Sequence, residues 1–264
     1  MNTVRVGAVG YLNARPLVYG LDRYPRFDVR YDVPSECARL LHAHETDIGL
    51  IPSIEYLRGG PYRIVPDLAI ASSGPVASVA IFTTKPIADV TSIAMDTSSR
   101  TSVALTRVLC AKHFKINPTF ESRGPDLDDM LAHADAALII GDNALFQQPA
   151  ANSQPLEKID LGDVWTRFTG LPFVYAFWAG RAGALAADDV EALQHARNEG
   201  EQRPEQLARE FLEGMPERWD TGGRYLRHNI KYHLGEDERA GLETFYRYAA
   251  EVGVVPSAKV PEFF

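Results

Sequence analysis

Three apolar runs, Val4-Arg5-Val6-Gly7-Ala8-Val9, Ile48-Gly49-Leu50-Ile51 and Ala136-Ala137-Leu138-Ile139-Ile140, each stop at a glycine or proline and pass into a polar loop with a turn or helical start behind it. Short apolar runs bounded by turn signals read as buried strands, and strands alternating with helices build a largely parallel sheet covered by helices. A chain written this way is confined to the α/β class. The same pattern says where chemistry belongs, because in open α/β sheets ligands bind beyond the carboxyl ends of the strands. The exit loops are therefore the first place to look.

The first exit, Gly10-Tyr11-Leu12-Asn13-Ala14-Arg15-Pro16, breaks at Gly10 and carries a proline suited to a first helical turn, which puts Asn13 near the cap. Asn13 is then either a capping amide or a ligand group, with Tyr11 on the rim. Phe27–Asp32 alternates apolar and polar as a half-buried strand does, and Ser35 reads as the cap of a helix carrying Cys37, Leu40 and Leu41. Ser53, just past Pro52, repeats the choice between cap and ligand group. Residues 68–71 and 76–82 are two β-rich segments joined by Ser72-Ser73-Gly74-Pro75, where Gly74 serves either a tight turn or a close approach of backbone to ligand. After Ile140 comes Gly141-Asp142-Asn143-Ala144, with Asp142 free to bind a ligand hydroxyl or, slightly favoured, to cap the next turn.

The densest exit is Ser92-Ile-Ala-Met-Asp-Thr-Ser-Ser-Arg-Thr-Ser102, a strand, then hydroxyls, then a helix expected over residues 101–114 on the spacing of Val103, Leu105, Val108 and Leu109. A helix start holds unbonded N–H groups and roughly +0.5 of a charge, enough to receive a carboxylate or phosphate without a lysine. One hydroxyl would suffice as a cap. Thr97, Ser98, Ser99, Thr101 and Ser102 in one turn favour an anion site.

Composition closes off other classes. With 264 residues, 45% of them hydrophobic, the chain can fill one large or two modest cores. A net charge of −8 with no basic cluster argues against a nucleic-acid surface. No apolar run is long enough to cross a bilayer and no basic leader precedes the first strand, so a cytoplasmic protein is expected. Cys37 and Cys110 have no CxxC or metal-ligand spacing and read as buried thiols, and His195, His228 and His233 form no HExxH pattern. None of the seven histidines falls in an exit loop, and GxSxG, GxGxxG and glycine-lysine phosphate motifs are absent from the sequence. The residues alone lead to a small-anion-binding protein, with a receptor and a modest enzyme fitting equally.

From about residue 184 only helical stripes remain: Val190, Leu193 and Ala196, then Leu207, Phe211 and Leu212, then Leu242, Phe245, Tyr246 and Ala249. The aromatic residues near Tyr225, Tyr232 and Tyr248 read as packing. Two βαβ blocks with two long β segments between them predict two lobes joined by a two-stranded hinge, with the tail completing the first lobe. The expected division is 1–88 for the first part of lobe 1, 89–175 for lobe 2, and 176–264 for the hinge return and helical completion. Exit loops led by Asn13 and by Thr97, Ser98 and Ser99 would face each other across a cleft that closes by hinge motion.

Five segments then carry a resemblance: Val9-Gly-Tyr-Leu-Asn-Ala-Arg-Pro-Leu17, Asp47-Ile-Gly-Leu-Ile-Pro-Ser-Ile-Glu-Tyr56, Ile70-Ala-Ser-Ser-Gly-Pro-Val-Ala-Ser-Val79, Met95-Asp-Thr-Ser-Ser-Arg-Thr-Ser-Val103 and Leu138-Ile-Ile-Gly-Asp-Asn-Ala144. In this order they resemble the chorismate dehydratase family, which opens the futalosine route to menaquinone. The resemblance implies a type II periplasmic-binding-protein-like fold and a hydro-lyase, without metal or organic cofactor, that takes chorismate, a dicarboxylate, to 3-[(1-carboxyvinyl)oxy]benzoate. It implies Asn13 as the catalytic residue and Tyr11, Ser53, Ser73, Gly74, Thr97, Ser98, Ser99, Thr101 and Asp142 as the substrate-binding set. No nucleic-acid or membrane partner is expected, and the protein is a monomer or a homodimer. The other readings are a non-catalytic solute-binding or sensor protein of the same fold, and an enzyme like 1,4-dihydroxy-6-naphthoate synthase, for which no histidine stands in the catalytic place.

Overall fold

The computed structural model describes residues 3–147 and 156–264. Its strands are β1 (Val4–Val9), β2 (Phe27–Asp32), β3 (Ile48–Pro52), β4 (Tyr62–Ile64), β5 (Ile70–Ser72), β6 (Val79–Thr83), β7 (Ser92–Asp96), β8 (Thr119–Arg123), β9 (Ala136–Ile140), β10 (Glu157–Asp160) and β11 (Phe173–Arg181). They form two sheets, ordered β2-β1-β3-β11-β4 with β5 also on β11, and β10-β6-β9-β7-β8. In the first, β1 runs parallel to β2 and β3, while β11 runs antiparallel to β3. In the second, β7 is parallel to β8 and β9, and β6 is antiparallel to β9.

Burial explains which strands were legible. β3 and β9, buried at every position, carry unbroken apolar runs, whereas the edge strands β2 and β8 alternate or face solvent. The pairing also sets the division between lobes. The chain leaves the first sheet after Ser72 and enters the second at Val79, which lies opposite Ile140; it leaves after Asp160 and returns at Phe173. A boundary at 88/89 puts β6 with the first lobe and one at 175/176 splits β11, whereas β6 pairs wholly within the second sheet and β11 wholly within the first. Asp160 ties the two crossings together. Its carboxylate accepts the amides of Val76 and Ala77 at 3.0 and 2.6 Å and also caps the helix Leu161–Thr169 through Gly162 and Asp163. Amides occupied in this way are not free to extend a strand, so the β-rich segment starts only at Val79.

Two helix starts differ from expectation. Pro34 takes the first turn of Pro34–His42 with Val33 at the cap, so Ser35 lies inside the helix and gives its amide to the Ser98 carbonyl at 3.0 Å. The helix after β7 is Arg100–Leu109, followed by a wide turn Cys110–Phe114 that ends on Lys115 at a φ of 58°.

The helical tail returns to the first lobe. Helix Ala187–Glu201 lies on the 3-10 turn Leu12–Val18, and helix Glu236–Glu251 packs on β11 and on Arg100–Leu109. Trp165, Phe173 and Phe245 stack edge to face at centroid distances of 4.8–6.1 Å, joining the second crossing to the tail. Among the described residues no helix is long and apolar enough to cross a membrane.

Candidate active site between the lobes

The first strand ends where Gly10 gives its amide to the Asp32 carbonyl, and the chain then curls into the turn Leu12–Val18 with Tyr11 at its cap. Second-lobe exits hold that turn directly. The Tyr11 hydroxyl donates to Ser98 Oγ at 3.3 Å, and the amide of Leu12 donates to the Asp142 carboxylate at 3.3 and 3.4 Å. A contact from the tail reaches the same cleft, where the Tyr225 hydroxyl donates to Ser78 Oγ at 2.7 Å. Asn13 Oδ1 is buried without a partner among the described residues.

These contacts enclose a cavity of about 40 Å³ between the sheets. Its polar lining is Tyr11, Asn13, Ser78, Ser99, Ser102 and Tyr175, with Val9, Pro34, Val76, Val79 and Ile140 among its apolar walls. At roughly 10–15 Å³ per water such a space takes about three waters, so the lobes stand closed on each other. Among the described residues neither lysine nor arginine lines it. An anion here is met by hydroxyls, one amide and the start of Arg100–Leu109.

Burial sets the protonation states around the cavity. It pushes the Asp142 carboxyl up to about 6, offset in part by the Leu12 amide, and raises the Tyr175 hydroxyl well above its usual range. Tyr175 is therefore a neutral donor or acceptor at physiological pH, hydrogen-bonded to Ser72 Oγ at 3.0 Å.

The sequence-chosen residues sort by this geometry. Tyr11, Asn13 and Ser99 line the cavity. Ser99 is also the helix cap, accepting from the Ser102 amide at 3.5 Å, so both of its expected roles meet in one side chain. Ser98 gives its proton to Asp96 at 2.6 Å and accepts from Tyr11, which leaves it an interlobe contact outside the lining. Thr97 and Ser73 are exposed and outside the lining. Ser53 and Thr101 face each other at 3.4 Å, with Ser53 donating to the Val174 carbonyl and Thr101 accepting from the Ile54 amide; they join the lobes. Gly74, at a φ of 93°, makes the turn, its amide held by Thr166 Oγ1 and its carbonyl by Ser72. Asp142 caps the first lobe's turn across the cleft instead of its own helix.

Four residues had not been singled out for the site: Ser78, Tyr175, Tyr225 and, within a cluster already noted, Ser102. Ser78 sat inside an apparent strand, and Tyr225 lies more than two hundred residues from Asn13, where no local pattern speaks. The arginines are committed elsewhere. Arg15 lies over the rings of Tyr31 and Phe211, and Arg100 pairs with Glu55 at 2.8 Å.

A family model described as menaquinone biosynthesis matches residues 4–251. The chorismate dehydratase of Thermus thermophilus is 34% identical over 258 residues, covering 91% of this chain and 93% of its own. A solved protein of Archaeoglobus fulgidus superposes with a TM-score of 0.75 at 17% identity, over 96% of this chain and 98% of that one. The periplasmic aliphatic sulphonate binding protein SsuA of Escherichia coli does so at 0.64 and 16% identity, over 98% and 90%. These likenesses show a periplasmic-binding-protein-like fold.

Proposed function

We propose, from the premise that the chain belongs to the chorismate dehydratase family of menaquinone biosynthesis, that it converts chorismate to 3-[(1-carboxyvinyl)oxy]benzoate and water as a hydro-lyase of the futalosine route. The observation that carries this beyond family membership is Asn13 Oδ1, a buried acceptor without a partner among the described residues, at a cavity whose other polar side chains are hydroxyls set among apolar walls. A buried unpaired acceptor costs about 1–3 kcal/mol, which a ligand hydroxyl would recover. Chorismate carries such a hydroxyl on C4.

The chemistry asks little of the protein. Loss of the C3 proton leaves an anion that delocalises onto the ring carboxylate, and expulsion of the C4 hydroxyl makes the ring aromatic. The Ser99 hydroxyl, which accepts from Ser102 Oγ at 3.1 Å and so keeps its own proton to give, stabilises with the helix start the charge developing on a carboxylate, a role worth roughly 2.7–4 kcal/mol per well-aimed donor. Since the lining offers no charged base, the substrate's own enolpyruvyl carboxylate takes the C3 proton and returns it to the departing hydroxyl. Water forms, and atoms balance without a cofactor. Lobe closure excludes bulk water from the intermediate.

The test is to incubate purified protein with chorismate in chelator-containing buffer without cofactor and to follow products by chromatography and mass. Loss of one water with the enolpyruvyl group retained supports the reading. Unchanged chorismate, alongside a thermal shift that titrates with small carboxylates, would move the protein to the solute-binding class. Asn13→Ala should lower turnover by about 100-fold or more while leaving the fold intact.

A further inference from the structure

A second cavity, of about 430 Å³, shares no lining residue with the one between the sheets. Helix Arg100–Leu109 serves both. Its start, with Ser99 and Ser102, lines the small cavity, whereas Val103, Ala104 and Arg107, the last standing three and four residues beyond the others on one flank, line the large one. Ile116 and Phe120 continue the second-lobe wall. The first lobe closes it with Val252 and Val254, just past helix Glu236–Glu251, and with Arg58 at the end of the short helix Glu55–Arg58.

This lining suits one kind of guest. Val103, Ile116, Phe120, Val252 and Val254 are half-buried and leave apolar surface that gains by being covered. Among the described residues no carboxylate lines the cavity, while two guanidinium groups do. Arg107 has no ion partner among the described residues and lies over the Phe120 ring at 4.3 Å, a stacking that fixes its plane and leaves its N–H edge to donate. Arg58 gives one N–H to Glu55 at 2.9 Å, and a guanidinium has five. The volume falls within the roughly 300–1,000 Å³ of small-molecule sites.

We propose that this cavity is a second ligand site, separate from the substrate cavity, for a small carboxylate carried on an apolar body, with Arg107 and Arg58 receiving the carboxylate and the Phe120 wall receiving the body. Such a guest touches both lobes in their closed arrangement and so favours that arrangement. The substrate cavity, at about 40 Å³, has to open before chorismate enters. An occupied second site therefore slows turnover without competing for the substrate's own contacts. That last step rests on the dehydratase reading; the site itself does not.

The probe is biphenyl-4-carboxylate, titrated into the full chain by calorimetry beside its uncharged counterpart biphenyl-4-methanol and inorganic phosphate, an anion without the apolar body. Wild-type protein should bind the carboxylate at one site with a Kd below about 1 mM and bind neither counterpart measurably. Arg107→Ala should weaken binding by about 10-fold or more. Ala111→Trp, which puts bulk into the cavity from an exposed position, should abolish it, and Asn13→Ala in the substrate cavity should leave it unchanged. Undiminished binding to Arg107→Ala or Ala111→Trp, loss of binding in Asn13→Ala, comparable binding of either counterpart, or no binding of the carboxylate at about 1 mM overturns the site. In the chorismate assay the probe should lower kcat/KM several-fold for wild type and leave Arg107→Ala, itself as active as wild type, unaffected. Binding in the expected pattern with an unchanged kcat/KM upholds the site and overturns its effect on turnover. Should wild-type protein leave chorismate untouched, the dehydratase reading falls, and calorimetry still decides the site.

Discussion

Asp142 shows at a single residue how a cleft closure is paid for. Its carboxylate accepts the Leu12 amide from the opposite lobe, yet burial pushes it up to about 6 from an ordinary 3.8. The unfolded chain therefore sheds this proton between about pH 4 and 6 while the folded chain keeps it. Folding stability then falls as pH rises through that window and levels off above it. Asp142→Asn keeps an oxygen for Leu12 and removes the charge. It should raise stability at pH 7 to 8 by at most about 3 kcal/mol and leave it unchanged near pH 4. Thermal unfolding of both proteins from pH 4 to 8 checks this, and an advantage that grew toward low pH would contradict it.

Among the elements, the short turn Leu12–Val18 is placed by what leans on it. Helix Ala187–Glu201 approaches so closely at Gly200 that a Cβ there would stand 2.3 Å from the Pro16 carbonyl oxygen. Backbone cannot give way as a side-chain tip can, so Gly200→Ala should cost about 1–3 kcal/mol. Because the displaced turn carries Asn13, turnover of chorismate should fall together with the melting temperature. Gly60→Ala, where an added Cβ meets nothing within 4 Å, is the matched control and should change neither. The strands with both faces covered were legible as apolar runs. The start of Pro34–His42 was misread because a proline in the first turn needs no serine before the helix.

At the scale of the molecule, Glu55 latches the two lobes. It is 1% exposed and binds Arg100 of the second lobe at 2.8 Å, together with Arg58 and His42 of the first at 2.9 and 3.0 Å. Burial alone would raise its carboxyl, but the His42 hydrogen bond and the charges of Arg100 and Arg58 outweigh that and hold it at about 2. Its contribution is present above about pH 4.5 and is lost as pH falls toward 2. Removing one partner of a buried pair costs about 3–5 kcal/mol, and the lower end applies because both arginines reach solvent. Glu55→Gln should lower the melting temperature by about 5–10 °C and raise the radius of gyration of the ligand-free protein in small-angle scattering. An unchanged radius would mean that the hydroxyl contacts Ser53–Thr101 and Tyr11–Ser98 hold the lobes closed by themselves.

The order of strands and helices, the two lobes, the position of Asn13 in the first exit loop and Ser99 at the helix start all follow from local signals: apolar period, breakers, caps. Such signals act within a few residues, so the sequence by itself determines them. The sheet on which β6 sits, the capture of Arg100 by Glu55, the turn of Asp142 toward Leu12 and the bond from Tyr225 to Ser78 join residues 45 to 147 positions apart. No local pattern encodes such pairings, because each is chosen by the packing of whole elements and by the need of every buried polar group for a partner. Tertiary structure alone decided which hydroxyls face the cavity and which hold the lobes together.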